Sequence, residues 1–147
     1  IVRLLEQAGF HDVIKLSEIH NGRSRNNENI IIVDVIGELF KVYSLASVVF
    51  CGGSLVPRGG QNILEAAAWG KVIFYGPSME DFSQEKTLLE EAGCGITIHN
   101  GEELFSGMMQ MLGSPEELTR RGEKGRAVVL ANIGASERYA DLISRYL

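Results

Sequence analysis

Apolar and polar positions follow two alternating patterns along the chain. Short runs rich in β-branched residues lack polar alternation, which is typical of parallel strands covered on both faces. Between these runs, apolar positions recur at helical spacing, as in Leu4, Leu5 and Ala8. Because strands alternate with helices, the pattern predicts an α/β fold with a doubly wound parallel sheet and right-handed crossovers. Strands are predicted at residues 13–16, 30–35, 47–51, 72–75 and 96–98.

Glycine and capping residues set the ends of the predicted helices. Gly9, Gly70 and Gly93 each follow a run with helical spacing, and glycine is common just past a helix C-terminus. Ser114 and Pro115 begin a helix, since serine caps the first turn and proline fits within it. Helices are predicted at residues 1–10, 39–46, 61–69, 82–92, 115–131 and 135–146, and the run at 30–35 is expected in the middle of the sheet.

Length and composition favour one compact unit. The 147 residues are 45% hydrophobic, which is enough for a core of ordinary size. The net charge of -5 argues against a surface built mainly to bind nucleic acid or anionic lipid. No apolar run approaches the roughly 20 residues that cross a bilayer, so we expect the chain itself to be soluble.

The cysteines and histidines give no sign of a metal site. Cys51 and Cys94 lie within apolar runs and lack CxxC spacing, so we predict reduced thiols in the core of a cytoplasmic protein. His11, His20 and His99 are far apart in the sequence, which favours ordinary surface positions. The sequence therefore predicts no bound metal.

A glycine-rich loop follows the strand predicted at 47–51. Ligands of doubly wound sheets bind beyond the carboxyl ends of the strands, where this loop must lie. Four glycines within the nine residues 52–60 let the backbone approach a ligand closely. Gly59 and Gly60 precede a predicted helix, whose unpaired first-turn N–H groups favour an anion. Arg58 adds a cation with a planar donor fork, so the loop predicts a site for a phosphate or carboxylate.

Two polar residues follow this loop at helical spacing. Glu65 lies three residues after Asn62, so both are expected on one helix face, where the carboxylate can accept hydrogen bonds from ribose hydroxyls. The alternative is that Asn62 and Glu65 form a capping pair and that Arg58 forms a surface ion pair. The loop is neither a Walker motif nor a GxGxxG fingerprint, which excludes those two nucleotide-binding classes.

Three motifs together resemble the C-terminal domain of bacterial 3-deoxy-D-manno-octulosonic acid (Kdo) transferases. They are VDVIGEL at 33–39, GGSLVPRGGQNILEAA at 52–67 and FYGPSMEDF at 74–82. The resemblance implies a GT-B glycosyltransferase, in which two Rossmann-like domains face a cleft. The C-terminal domain would hold CMP-Kdo, the donor substrate, and the N-terminal domain would hold a lipid A precursor. No metal or other cofactor is implied.

The resemblance assigns donor contacts by matching position. Gln61 and Ser78 depart from the family, which usually has histidine at both positions, and neither residue can carry the charge of an imidazolium. The cytidine would contact Ile36, Gly37 and Glu38; the ribose and phosphate would contact Asn62, Ile63, Leu64 and Glu65; and the phosphate or the Kdo carboxylate would contact Ser54, Arg58, Gly59, Gly60 and Gln61.

Parts of the resembling proteins have no counterpart in this chain. Their domain begins with two further strands, so we expect a chain cut from a longer protein and a gapped or rearranged sheet, with no natural neighbour for the strand at 13–16. Their general base is an acidic residue of the N-terminal domain. We therefore expect this chain to bind the donor without catalysing transfer, and the full-length enzyme to act at the cytoplasmic side of the bacterial inner membrane.

Two alternatives remain open. One is a GT-B transferase or epimerase that uses a UDP-sugar, since such proteins also carry a glutamate on this helix. The other is a non-catalytic interaction module that retains the fold without its ligand. Affinity for CMP compared with UDP distinguishes the first alternative, and loss of nucleotide binding on changing Arg58 or Glu65 distinguishes the second.

Overall fold

A computed structural model describes residues 1–132, which divide into two compact units. The first unit comprises Ile1–Val42, and the second begins at Tyr43. The first unit contains helices α1 and α2 and strands β1 and β2, and helix α3 crosses the division. The bounds are α1, Val2–Gln7; β1, Val13–Lys15; α2, Leu16–His20; β2, Ile30–Ile32; and α3, Leu39–Tyr43.

The first unit contains a two-stranded parallel sheet. Strand β1 pairs with β2, and Val13 is opposite Ile30. Ile14 is fully buried between its neighbours. The Asp34 carboxylate accepts hydrogen bonds from the Ser17 backbone N–H at 2.9 Å and from the Ser17 hydroxyl at 2.7 Å. These bonds tie the segment after β2 to α2, a short helix that the apolar pattern did not predict.

Strand β2 differs from the sequence prediction. The run at 30–35 was expected in the middle of a sheet, covered on both faces, but the strand ends at Ile32 and Ile31 is 40% exposed. Within its unit the strand pairs along one edge only, with β1. The prediction of a central strand is therefore wrong.

The second unit has a three-stranded parallel sheet in the order β3-β4-β5. All four residues of the central strand, Val72–Tyr75, are buried, as predicted for that run. The strands are β3, Val48–Cys51; β4, Val72–Tyr75; and β5, Gly95–Thr97, and the helices are α4, Leu64–Ala68; α5, Ser83–Glu91, after a 3-10 turn at Glu80–Phe82; α6, Gly101–Leu112; and α7, Pro115–Asn132.

Alternate side chains of β4 build a core on each face of this sheet, as the two-residue period of a strand requires. Ile73 and Tyr75 pack with Ala67 and Leu89 on one face. Val72 and Phe74 pack on the other face with the residues Ile98 and Met111. Cys51 and Cys94 are free and buried, and burial raises the pKa of Cys94 to about 11.

The fold class predicted from the sequence is confirmed. Helices alternate with parallel strands, and the described strands form two separate sheets, one in each unit. Strand β1 does have a neighbour, β2, contrary to the expectation of none. Among residues 1–132, no helix is long and apolar enough to cross a membrane. The helix predicted at 135–146 lies outside the described residues.

Glu117 on α7 carries an acid-sensitive ion-pair cluster. Its carboxylate accepts hydrogen bonds from Arg120 at 2.7 Å and from Arg121 at 2.6 Å, which lower the pKa of Glu117 from an ordinary 4.5 to about 2. A lowered pKa in the folded state stabilises the fold above pH 4.5, and the contribution disappears as the pH falls towards 2.

We therefore expect Glu117→Gln to destabilise the chain above pH 4.5 and to have no effect near pH 2. Urea unfolding at a series of pH values measures the difference from wild type. Glu116→Gln is the matched control, since Glu116 is exposed and makes no ion pair with the described residues. A difference for Glu117→Gln that is constant across the pH range contradicts this interpretation.

Candidate functional site

Two loops lie side by side where β3 and β4 end. The strands are parallel and adjacent, so the loop at 52–63 and the loop at 76–79 leave the same edge of the sheet. This is the edge at which ligands of doubly wound sheets bind. The site predicted from the sequence is therefore centred on this pair of loops.

Ser54 joins the two loops. Its hydroxyl is completely buried, donates to the Cys51 carbonyl at 2.5 Å and accepts from the Gly76 N–H at 2.7 Å. Its own carbonyl accepts from the Ser78 N–H at 2.9 Å. The sequence-based assignment of Ser54 to the donor phosphate or carboxylate is wrong, because this hydroxyl is out of reach of a ligand and already paired.

Ser78 joins the loops a second time, at their other end. Its Oγ accepts hydrogen bonds from the backbone N–H groups of Arg58 and Gly59, each at 3.1 Å. The same hydroxyl donates to the Glu80 carboxylate at 2.8 Å. The pKa of Glu80 is lowered chiefly by the hydrogen bond from its own backbone N–H and then by the hydrogen bond from Ser78. The sequence identified Ser78 only as a replacement for histidine.

Gly59 and Gly60 are not the open anion site that the sequence predicted. Both are buried and have positive φ angles of 75° and 79°. The Asp81 side chain covers Gly59, and the Met79 side chain covers Gly60, so closely that a Cβ at either position would collide. The Gly59 N–H already donates to Ser78. The Gly59 amide is therefore not bare, and Gly60 is buried beneath Met79 rather than open as the sequence predicted.

Helix α4 begins at Leu64 rather than at Gln61, and it has five residues. Asn62 therefore precedes the helix. Its Oδ1 accepts from the Leu64 N–H at 3.1 Å, and its Nδ2 donates to Glu65 Oε1 at 3.2 Å. Asn62 and Glu65 are therefore paired, as the alternative from the sequence had it, although the N-cap residue of the helix is Ile63. The second carboxylate oxygen of Glu65 accepts no hydrogen bond from residues 1–132, so it is available to a ligand.

The side chains around Glu65 differ in what they can offer a ligand. Ile63 is 1% exposed and belongs to the core, so only its backbone can face a ligand. Leu64 is half-buried and packs against the same core. Tyr43 lies near Glu65: burial chiefly, and then the Glu65 carboxylate, raises the pKa of the Tyr43 phenol. Tyr43 stands outside all three sequence motifs, so no signal in the sequence identified it.

Arg58 and Gln61 present polar groups at the exposed edge of the loop pair. Both residues are exposed. Neither side chain makes a hydrogen bond or ion pair within the described part of the chain, so the surface ion pair considered for Arg58 does not form there. Glu80 and Asp81 are exposed in the 3-10 turn that follows the neighbouring loop. An exposed guanidinium on a rigid loop can bind a phosphate or carboxylate bidentately.

The three residues assigned to cytidine belong to the first compact unit. Ile36 is fully exposed, and Gly37 has a φ of 87°, which only glycine adopts readily. Glu38 pairs with Lys41 Nζ at 3.2 Å. This turn thus presents an apolar side chain beside a bare backbone. No group of three potential ligands in residues 1–132 could hold a metal ion.

One solved structure has a fold similar to that of this chain. The fold is shared with the crystal structure of the C-terminal CMP-Kdo binding domain of WaaA from Acinetobacter baumannii, with a TM-score of 0.78 and 22% identity. That match covers 87% of this chain and 65% of the other. The chain therefore has the same α/β fold as that domain.

Several sequence relatives are Kdo transferases. The chain is 31% identical over 128 residues to 3-deoxy-D-manno-octulosonic acid transferase from Haemophilus influenzae. This match covers 86% of the chain and 30% of the Haemophilus protein. The chain is 32% identical over 100 residues to the same enzyme from Aquifex aeolicus, covering 68% and 28% respectively. The resemblance to Kdo transferases drawn from the motifs is confirmed. No family model matches the chain.

Proposed function

We propose that this chain is the donor-binding domain of a Kdo transferase and that it binds CMP-Kdo. The observation that carries the proposal is the relationship to the Haemophilus enzyme, which extends over 128 residues. An alignment of that length must include all three motifs at 33–39, 52–67 and 74–82. Residues 1–147 as a whole are proposed to form this domain.

The proposed contacts follow the groups that the loop pair leaves accessible. Arg58 faces the donor phosphate or the Kdo carboxylate, and the exposed amide of Gln61 donates to the same group. The second oxygen of Glu65, whose first oxygen is held by Asn62, accepts from the ribose hydroxyls. Ile63 and Leu64 contribute their backbones, while Gly59 and Gly60 allow the close packing that shapes the loop.

The cytosine is proposed to contact Ile36, Gly37 and Glu38. An exposed apolar side chain beside a glycine is suited to cover one face of a base, and backbone polar groups can read its edge. Glu38 remains close to Lys41, so the pair adds no net charge to this turn. This is the part of the proposal that distinguishes cytidine from uridine nucleotides.

The full-length protein is proposed to transfer Kdo to a lipid A precursor in lipopolysaccharide biosynthesis. The chain spans about 30% of the length of the Kdo transferases that it matches. Acceptor binding, the general base and contact with the cytoplasmic side of the inner membrane are assigned to other parts of the full-length protein. The chain alone is expected to bind the donor without turnover and without a metal.

Calorimetry with CMP, UMP and UDP tests the proposal. We expect CMP to bind more tightly than UMP or UDP, with an affinity that EDTA does not change. Arg58→Ala should weaken CMP binding about 10-fold to 100-fold, because a charge-assisted hydrogen bond contributes about 1.5–3 kcal/mol.

Arg126→Ala is the matched control, since Arg126 is an exposed arginine on α7, outside the loop pair. Its affinity for CMP should equal that of wild type. Tighter binding of UDP than of CMP favours a UDP-sugar enzyme. The absence of any nucleotide binding, or equal effects of the two arginine variants, contradicts the proposal and favours an interaction module.

A further inference from the structure

We infer that Ser78 is a positioning residue that fixes the Arg58 backbone, and through it the guanidinium, for binding of the donor phosphate. The inference rests on the proposed function. Its basis is the geometry of one hydroxyl, which accepts from the Arg58 and Gly59 N–H groups at 3.1 Å and donates to Glu80 at 2.8 Å.

The Ser78 hydroxyl uses its full hydrogen-bonding capacity within the protein. A serine hydroxyl has one donor and two acceptor lone pairs, and all three are engaged here. Because the donor points at the Glu80 carboxylate, both lone pairs face the two amides. The side chain is also nearly buried, at 8% exposure. Ser78 therefore has no free group for a ligand and can act only through Arg58 and Gly59.

The Arg58 side chain depends on its backbone for its orientation. The side chain is exposed and makes no hydrogen bond or ion pair with residues 1–132, while the backbone N–H is shared between Ser78 Oγ and the Val56 carbonyl, which accepts at 2.7 Å. An exposed arginine side chain loses rotamer entropy when it is fixed on a ligand, and motion of its backbone adds to that entropic cost. Holding its backbone N–H, and that of the next residue, removes motion of the main chain from this cost.

The role of Ser78 is separable from the joining of the loops. Ser54 links the same two loops through the Gly76 N–H at 2.7 Å and the Ser78 N–H at 2.9 Å. Both bonds remain when the Ser78 hydroxyl is removed. We therefore expect a change confined to the Arg58–Gly59 segment, with the loop pair still assembled.

Binding of CMP compared with cytidine tests the inference. Ser78→Ala should weaken CMP binding about tenfold, the effect of losing about 1.4 kcal/mol of phosphate contact, and change cytidine binding less than about twofold. In the Arg58→Ala background it should have no further effect, since coupled residues are not additive. Ser78→Thr, which keeps the hydroxyl, should restore CMP affinity.

Ser106→Ala is the control, because that exposed serine donates only to Glu102 within its own helix. Ser78→Cys, with a similar size and weaker hydrogen bonds, replaces the alanine variant if the latter does not fold. If wild type binds CMP, then unchanged affinity in Ser78→Ala, equal losses for CMP and cytidine, or additivity with Arg58→Ala overturns this inference alone. If wild type binds no CMP, the proposed function and this inference fall together.

Discussion

Gly76→Ala should lower the free energy of unfolding by about 3 kcal/mol, the upper range for overpacking a tight site. A Cβ on Gly76 would collide with the backbone of the neighbouring loop, at the carbonyl of Ser54 and the N–H of Leu55. Backbone atoms cannot move aside as a flexible side chain can. The same shift would pull the Gly76 N–H away from the Ser54 hydroxyl, its partner at 2.7 Å.

Gly52→Ala is the matched control for this prediction. Gly52 lies in the same loop pair, and a Cβ there meets nothing within 4 Å. It also has no positive φ, so alanine fits its backbone. Its free energy of unfolding should stay within about 0.5 kcal/mol of wild type. Similar urea midpoints for Gly76→Ala and Gly52→Ala would contradict the interlocked arrangement of the two loops.

Gly122→Ala should destabilise the second unit by a similar amount, about 2–3 kcal/mol. Gly122 lies within α7, where its Cβ would collide with the carbonyl group of Gly70, just after α4. Where nothing packs against a helix glycine, replacing it with alanine stabilises the folded state by up to about 1 kcal/mol, because alanine is the better helix former. The sign of the change therefore reports the close approach of the two backbones.

Thermal or urea unfolding of Gly101→Ala provides the comparison for Gly122→Ala. Gly101 is the first residue of α6, and a Cβ there meets no atom within 4 Å. We expect this variant to be as stable as wild type or slightly more so. If Gly122→Ala is stabilising as well, α7 does not pack on Gly70 as described.

The sequence predicted most of the second unit and less of the first. The apolar run Val72–Tyr75 was predicted to be a buried strand, and all four of its residues are buried in the structure. The isoleucine run of β2 looks the same in sequence, yet Ile31 is exposed. An apolar run cannot distinguish a strand with two neighbours from one with a single neighbour, since that depends on residues far along the chain.

The start of α4 shows a second limit. The glycines at 59 and 60 were expected to lead directly into a helix, but three further residues intervene before Leu64. Both glycines are instead covered by side chains from elsewhere in the chain, Met79 at the end of the neighbouring loop and Asp81 in the 3-10 turn that follows it. Local propensity contains no information about such contacts between loops.

The sequence predicted where several residues of the candidate site lie in the fold, and their contacts with a ligand stay a prediction. The motif order placed Arg58, Asn62 and Glu65 at the carboxyl edge of the sheet, and the structure agrees. Ser54 was assigned to the ligand from the resemblance, and its burial was missed because its partner Gly76 lies 22 residues further along the chain. The role of Ser78 was missed for the same reason, since its partners are Arg58 and Gly59.

An NMR titration of the isotope-labelled chain with CMP tests the central claim most directly. We expect saturable changes in the chemical shifts of the backbone amides at Arg58, Gln61 and Glu65 and at the turn 36–38, and little change in the chemical shifts of α6. Shifts that occur elsewhere, or equal shifts with UMP at the same concentration, would contradict the assignment of this loop pair to a cytidine nucleotide.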